Sequence, residues 1–335
     1  MMRLAEWDLS EGDDAHRIEL YWGDLSDLPD QHAVDVLVVS AFRNDYIPTP
    51  GSLIGALQRN GISVYNLSFA KSYDLRDEFS CWLSQPVGVR AFKRILCIES
   101  GWRGAPPEVA DDLFRALAPT SLTNIPTQSV AMPLIGAGDQ GYDDAQMLEA
   151  IVMAAVGWFR RGISIEVLKI VAYDSESAKK AKSRFLKLKG AGIPDAREQN
   201  EWDVFLSYSS SDSTAADRIQ TELVRQSSEI RVFRDRQSLQ KGASWLMQVA
   251  YALDSCHTVL ALYTPEYWSS MVCKDELSAA YVRQTRANRQ VLFPVFYRHT
   301  DIPSFFQALH YVDCREADHR KLSAACKTIC DDVMG

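Results

Sequence analysis

The chain has 335 residues, 47% of them hydrophobic and 24% charged, with a formal net charge of −8. At ~150 residues per domain this suggests two domains, each able to bury an ordinary core. The acidic balance disfavours phosphate neutralisation, and no apolar run approaches the ~20 residues that cross a bilayer, so neither nucleic acid nor a membrane is expected as partner. The first residues, MMRLAEWDLSEGDD, are acidic and lack an apolar h-region, so they do not read as a signal peptide. Seven cysteines, scattered without a pairing framework, point to a reducing, cytoplasmic setting.

The predicted elements alternate between strand and helix. Ile18 to Tyr21 is a short strand. VDVLVVS (Val34 to Ser40) is a continuous apolar run, the pattern of a strand covered on both faces. A helix follows over Gly51 to Asn60, a strand over Arg94 to Glu99 and an amphipathic helix over Glu108 to Leu117. Ser129 to Leu134 is a strand that leads into the glycine-rich IGAGDQGYDD. Asp144 to Arg161 is an apolar helix, Glu166 to Tyr173 a strand and Ser175 to Leu188 a last helix. Lys187 to Glu201, with two glycines, a proline and many charges, has the composition of an exposed linker. We therefore expect one domain over residues 1–188, a linker over 189–200 and a second domain over 201–335.

The second domain repeats the alternation. Strands are expected over Val204 to Ser207, Ile230 to Phe233, Thr258 to Tyr263 and Val291 to Tyr297. Helices are expected over Thr214 to Gln226, Trp245 to Asp254, Lys274 to Arg286 and Ala317 to Val333. Helical crossovers between strands imply α/β folds with mostly parallel sheets flanked by helices. Ligands in such sheets bind beyond the carboxyl ends of the strands, where the loops after Ser207 and Tyr263 fall.

Several ordered segments of the second domain carry a family signature: DVFLSYSSSD (Asp203 to Asp212), VFRDRQSLQKGASW (Val232 to Trp245), VLALYTPEYWSS, CKDEL (Cys273 to Leu277) and FPVFY (Phe293 to Tyr297). Together they resemble a TIR domain, flavodoxin-like in fold, of the kind that cleaves NAD. The resemblance implies that Glu276 contacts the nicotinamide ribose. Breaking the bond from ribose C1′ to nicotinamide builds oxocarbenium character, which a nearby carboxylate stabilises. Nicotinamide leaves a cationic ring as a neutral molecule, so one carboxylate suffices. On the residue alone, Glu276 reads as serving the dipole of its helix, and it is the surrounding pattern that turns the reading toward chemistry.

Around it, Phe205, Ser207 and Ser209 would line the substrate pocket, the serines bonding ribose or phosphate. Ser213 or Asp212 reads as the N-cap of the following helix. Arg234 or Arg236 could grip the pyrophosphate bidentately. Trp245 could face adenine or a neighbouring subunit, or be buried. Trp268 could stack on nicotinamide or fill the core. Cys273 has no histidine partner nearby in sequence and reads as a small buried residue. In relatives the segment after Arg234 mediates self-association, so TIR–TIR contact is an expected partnership, with NAD+ as substrate rather than cofactor. Many TIR domains are non-catalytic scaffolds, which is the alternative function.

The first domain resembles a macro domain, a three-layer α/β/α fold that binds ADP-ribose. The resemblance rests on Gly23-Asp24-Leu25 after the first strand, on VDVLVVSAF and on SVAMPLIGAGDQGYD. It implies that Asp24 binds an adenine amino group and that the loop of Ile135, Gly136, Ala137, Gly138, Gly141 and Tyr142 wraps phosphates, since glycines let backbone approach a pyrophosphate. Ser40 and Ala41, followed by Phe42 and Arg43, stand where the family has asparagines. That departure favours binding of an ADP-ribose-like ligand over its hydrolysis. The overall expectation is an NAD+ glycohydrolase giving nicotinamide plus ADP-ribose or a cyclic isomer. It would be regulated by nucleotide binding and self-assembly, in antiviral cell-suicide immunity. No metal is expected: Cys326 and Cys330 lie at helical spacing, but no second pair completes four ligands.

Overall fold

The computed structural model describes all residues except 11–14, 100–105, 123–124, 135–141, 193–201, 235–248, 250–251, 288, 308, 316–317 and 335. The chain divides into two compact units, Met1–Ile193 and Pro194–Gly335.

The N-terminal unit is built on strands β1 (Met2–Asp8), β2 (Arg17–Trp22), β3 (Val34–Ser40), β4 (Lys71–Leu75), β5 (Cys81–Ser84), β6 (Phe92–Ile98), β7 (Ser129–Pro133) and β8 (Val167–Ala172). They form one eight-stranded sheet in the order β1-β2-β8-β7-β3-β6-β5-β4. The five central strands run parallel. Both margins are antiparallel, β1 on β2 at one side and β5 on β6 with the outermost β4 on β5 at the other, and these three strands are additions to the sequence expectation. Their segments are short or half-exposed, so they lack the continuous apolar run that marks β3.

Helices α1 (Leu53–Arg59) and α2 (Val64–Leu67) cover one face, where Ile54, Leu57 and Val64 pack with Leu37, Val39, Ile95 and Cys97. The short α3 (Arg76–Phe79) precedes β5. Helices α4 (Pro106–Leu117), α5 (Asp144–Arg161) and α6 (Ser175–Ala191) pack in sequence, with α6 against β1, β2 and β8. The Asp143 and Asp174 side chains cap α5 and α6, each accepting two backbone N–H groups. Helix α6 runs to Ala191, three residues into the stretch expected as linker.

The C-terminal unit holds β9 (Val204–Ser207), β10 (Val232–Arg234), β11 (Thr258–Tyr263), β12 (Leu292–Phe296) and β13 (Val312–Asp313), ordered β10-β9-β11-β12-β13. Every pairing is parallel. This is the flavodoxin-like order, whose topological switch point lies between β9 and β11. On one face α7 (Ser213–Gln226) and α10 (His319–Met334) bury Ile219, Leu223, Leu322 and Ile329 against Leu206, Leu260 and Val295. The short α8 (Pro265–Ser269) and the long α9 (Met271–Arg286) follow β11, and α9 packs on β9 and β12. Helix α9 was expected over Lys274 to Arg286 and starts three residues earlier, whereas the short α8 is an addition to the expectation. Thr264 starts α8 by accepting from the Tyr267 amide, and Ser270 starts α9 by accepting from the Cys273 amide.

Candidate active site

The strand ends at the switch point open into a cleft of about 510 Å³, within the size range of small-molecule sites. Leu206, Tyr208, Ser210 and Ser213 contribute from β9 and the start of α7. Ser270, Val272, Cys273 and Glu276 contribute from α9, while Asp217 and Arg234 complete the wall.

Glu276 is 6% exposed, Ser207 1% and Tyr267 0%. The Ser207 hydroxyl donates to Glu276 Oε2 at 2.6 Å. The Tyr267 hydroxyl lies 3.0 Å from Ser207 Oγ and 3.1 Å from the Cys273 carbonyl oxygen, to which it can donate. A carboxylate in so little water needs hydrogen-bond donors, and the Ser207 hydroxyl is one that meets it. Burial pushes the Cys273 thiol well up, the nearby Glu276 charge adds to this, and the thiol is kept from acting as a nucleophile.

Arg234 sits at the end of β10 with its side chain 5% exposed. Its Nη1 donates to Asp217 Oδ1 at 2.6 Å and to Gln220 Oε1 at 2.8 Å, and its guanidinium lies 5.1 Å from the Tyr208 ring centroid. Burial works against its charge, but Asp217 and the Tyr208 hydroxyl outweigh it and hold Arg234 protonated.

Behind the cleft the buried Asp212 carboxylate accepts from Thr264 Oγ1 at 2.6 Å and pairs with Arg298, which also pairs with Glu266. Loops after β9, β11 and β12 are thereby tied together. Asp212 is the N-cap residue of α7, one of the two expected, but its side chain makes no capping bond: the carboxylate is taken by Thr264 and Arg298.

The structure brings Glu276, Arg234 and Cys273 to the cleft wall and corrects several other assignments. Ser207 and Ser209 are buried and do not line the cleft, whereas Tyr208 and Ser210 do. Within β9 side chains alternate between the sheet's two faces, Leu206 toward α7 and α10 and Ser207 toward Glu276 of α9, and the strand ends at Ser207, so that Tyr208 and Ser210 leave the sheet at the cleft. Phe205 is fully buried and stacked on Phe233. Trp268 fills the core among Tyr263, Tyr267 and Phe306 rather than meeting a substrate ring. Trp245 lies outside the described residues. Tyr208, Ser213, Asp217 and Tyr267 were missed; the end of the strand at Ser207, and the Thr264 cap that sets Tyr267 on α8, were the signals.

In the N-terminal unit a second cleft, of about 290 Å³, opens at the carboxyl ends of β2, β7 and β8. Gly23, Asp24, Ser52, Pro133, Tyr173 and Asp174 are among its lining residues. Asp24 accepts from the Ser26 amide at 2.8 Å, so one carboxylate oxygen is already engaged in starting the next turn. Ser40 and Ala41 do not line this cleft: the Ala41 amide donates to the Ile98 carbonyl at 2.9 Å, which extends the strand pairing past the end of β3. Tyr142 is partly buried just before α5. Ile135, Gly136, Ala137, Gly138 and Gly141 lie outside the described residues. Among the described residues no group of histidine, cysteine, aspartate or glutamate side chains is arranged to hold a metal ion. No helix among them is long and apolar enough to cross a membrane.

No curated protein matches the chain. Among solved structures, a point mutant of the Oceanobacillus iheyensis macrodomain is 14% identical, covers 56% of this chain and 95% of its own, with a TM-score of 0.43. The Trypanosoma brucei macrodomain in complex with ADP-ribose is 18% identical, covers 50% and 68%, with a TM-score of 0.36. The TIR domain of a Toll-related receptor from Hydra magnipapillata is 16% identical, covers 40% and 99%, with a TM-score of 0.31. The family model described as TIR domain matches residues 204–329. The matched residues lie within the C-terminal unit, whose five parallel strands run in flavodoxin-like order, so this unit is similar to TIR domains in sequence pattern and in fold.

Proposed function

We propose that the chain is an NAD+ glycohydrolase that breaks the nicotinamide–ribose bond at the Glu276 cleft. The observation that carries this reading is a buried glutamate, held by a serine hydroxyl, that lines an open cleft at the topological switch point of a TIR-like unit. As the bond lengthens, positive charge grows on C1′ and the ring oxygen. An ionised Glu276 stabilises that charge in surroundings of low dielectric, where a fixed carboxylate counts for more than in water. Arg234 offers a protonated guanidinium on the same wall for the pyrophosphate. Attack by water yields ADP-ribose; attack by a nitrogen of the adenine base yields a cyclic isomer.

The second cleft, with Asp24 on its wall, would take an ADP-ribose-like nucleotide as a regulatory ligand. Self-association of TIR domains would then couple that signal to turnover, in cytoplasmic antiviral immunity. Chromatographic product analysis after incubating the full chain with NAD+ tests the reading. Release of nicotinamide supports it. No release with or without ADP-ribose, at concentrations that allow assembly, favours a non-catalytic scaffold instead.

A further inference from the structure

The reaction above assigns no role to two buried hydroxyls. We infer that Ser207 and Tyr267 are positioning residues, a hydroxyl relay that fixes one oxygen of Glu276 and holds the carboxylate in its charged form. The inference rests on the reading of Glu276 as the reacting carboxylate, but its geometry stands apart from any substrate.

Three elements converge here. Ser207 closes β9, Tyr267 belongs to α8 and Glu276 to α9. None of the three side chains is more than 6% exposed. Each hydroxyl has one proton. The 2.6 Å bond from Ser207 to Glu276 Oε2 uses the serine proton, so in the 3.0 Å contact with Tyr267 the serine oxygen accepts. The phenol's one proton is shared between the Ser207 oxygen and the Cys273 carbonyl oxygen at 3.1 Å, while the serine proton goes to the carboxylate, so Tyr267 braces the serine that bonds Glu276. Burial pushes the Tyr267 phenol well up, which keeps its proton available for donation.

The relay is anchored from behind. The Tyr267 amide donates to Thr264 Oγ1 at 3.1 Å, and Thr264 donates in turn to Asp212, which Arg298 holds. Rotation of Tyr267 away from Ser207 is opposed by its complete burial between Tyr263 and Trp268.

The test uses the full chain labelled with ¹³C at glutamate carboxyl carbons, with the Glu276 resonance assigned through Glu276→Gln. Acid titration without NAD+ is followed in wild type, Ser207→Ala and Tyr267→Phe, with melting curves to confirm folding. Losing a donor to the charged form makes protonation easier. The Glu276 midpoint should rise by about one pH unit in Ser207→Ala, the worth of one hydrogen bond to a charged group, and by less in Tyr267→Phe. Midpoints that coincide in all three chains overturn the relay. In a parallel turnover assay, Ser207→Ala should lower kcat on the order of tenfold at neutral pH with KM nearly unchanged, and shift the acid limb of the profile upward. An unchanged kcat, or a loss confined to KM, also overturns it. A wild-type chain that releases no nicotinamide refutes the assigned reaction, and the titration still decides the relay.

Discussion

Each unit of this chain buries a glutamate at the carboxyl side of its sheet, and the two have different surroundings. Glu99 follows β6, and Glu276 lies on α9; each is 6% exposed. Glu99 Oε1 accepts from the Tyr46 hydroxyl and, at 2.7 Å, from the Trp82 indole, while Oε2 accepts from the Asn44 amide at 3.1 Å. These bonds fold the segment after β3 back over the sheet, and Asn44 takes a left-handed φ of 59° to do so. Glu276 is met by a serine hydroxyl and forms part of the wall of a large cleft. Burial and hydrogen bonding alone therefore do not identify a reacting carboxylate. Access to a space where a substrate fits separates the anchor from the reagent.

The comparison can be sharpened by substitution. The largest effect should come from Glu276→Asp. Charge is kept, but the shorter side chain cannot both reach Ser207 and stay in place at the cleft wall. NAD+ cleavage should fall on the order of 100-fold, read as initial rate of nicotinamide release, with little change in melting temperature. Glu99→Ala should do the reverse. It removes the carboxylate acceptor from the buried Tyr46 phenol and Trp82 indole and leaves a cavity beside them, so chemical denaturation of the full chain should show the N-terminal unit losing on the order of 3 kcal/mol. If Glu99→Ala leaves stability intact, the anchor reading fails.

A third buried carboxylate gives a pH signature. Burial alone would push the Asp35 carboxyl up, but Lys93 at 2.6 Å and the Ser129 amide and hydroxyl, each at 2.9 Å, outweigh it and hold it below the ordinary carboxylate range. A folded-state value below the unfolded one means that its stabilisation is present above the unfolded value and is lost as pH falls through the folded one. Asp35→Asn should lower stability at neutral pH by about 1 kcal/mol and flatten the acid side of the stability curve. The smallest effect is expected at Cys273. Its thiol is buried and pushed well up, so Cys273→Ala should keep cleavage within a factor of about three, a change below ~0.7 kcal/mol in barrier.

Much of this arrangement was legible before the structure. Val204–Ser207, Thr258–Tyr263 and Asp144–Arg161 were read with the bounds they have, because each is an uninterrupted apolar or strongly periodic run. Glu276 and Arg234 were read from motif resemblance and both stand on the cleft wall. The outermost strands β1 and β4, half-exposed and paired on one edge, and the four-residue β5 were not legible, since such segments carry a weak pattern. Site detail failed where facing direction mattered. Ser207 and Ser209 were chosen for their chemistry, but both are buried, and the turn that follows β9 presents Tyr208 and Ser210 to the cleft instead. Tyr267 escaped notice because its role depends on a contact across 60 residues of sequence.

The most direct measurement is nicotinamide release from NAD+ by the full chain and by Glu276→Gln, which keeps shape and removes charge. The account predicts steady release by wild type and its loss in the variant, with both melting at similar temperatures. Equal release by the two proteins would contradict it.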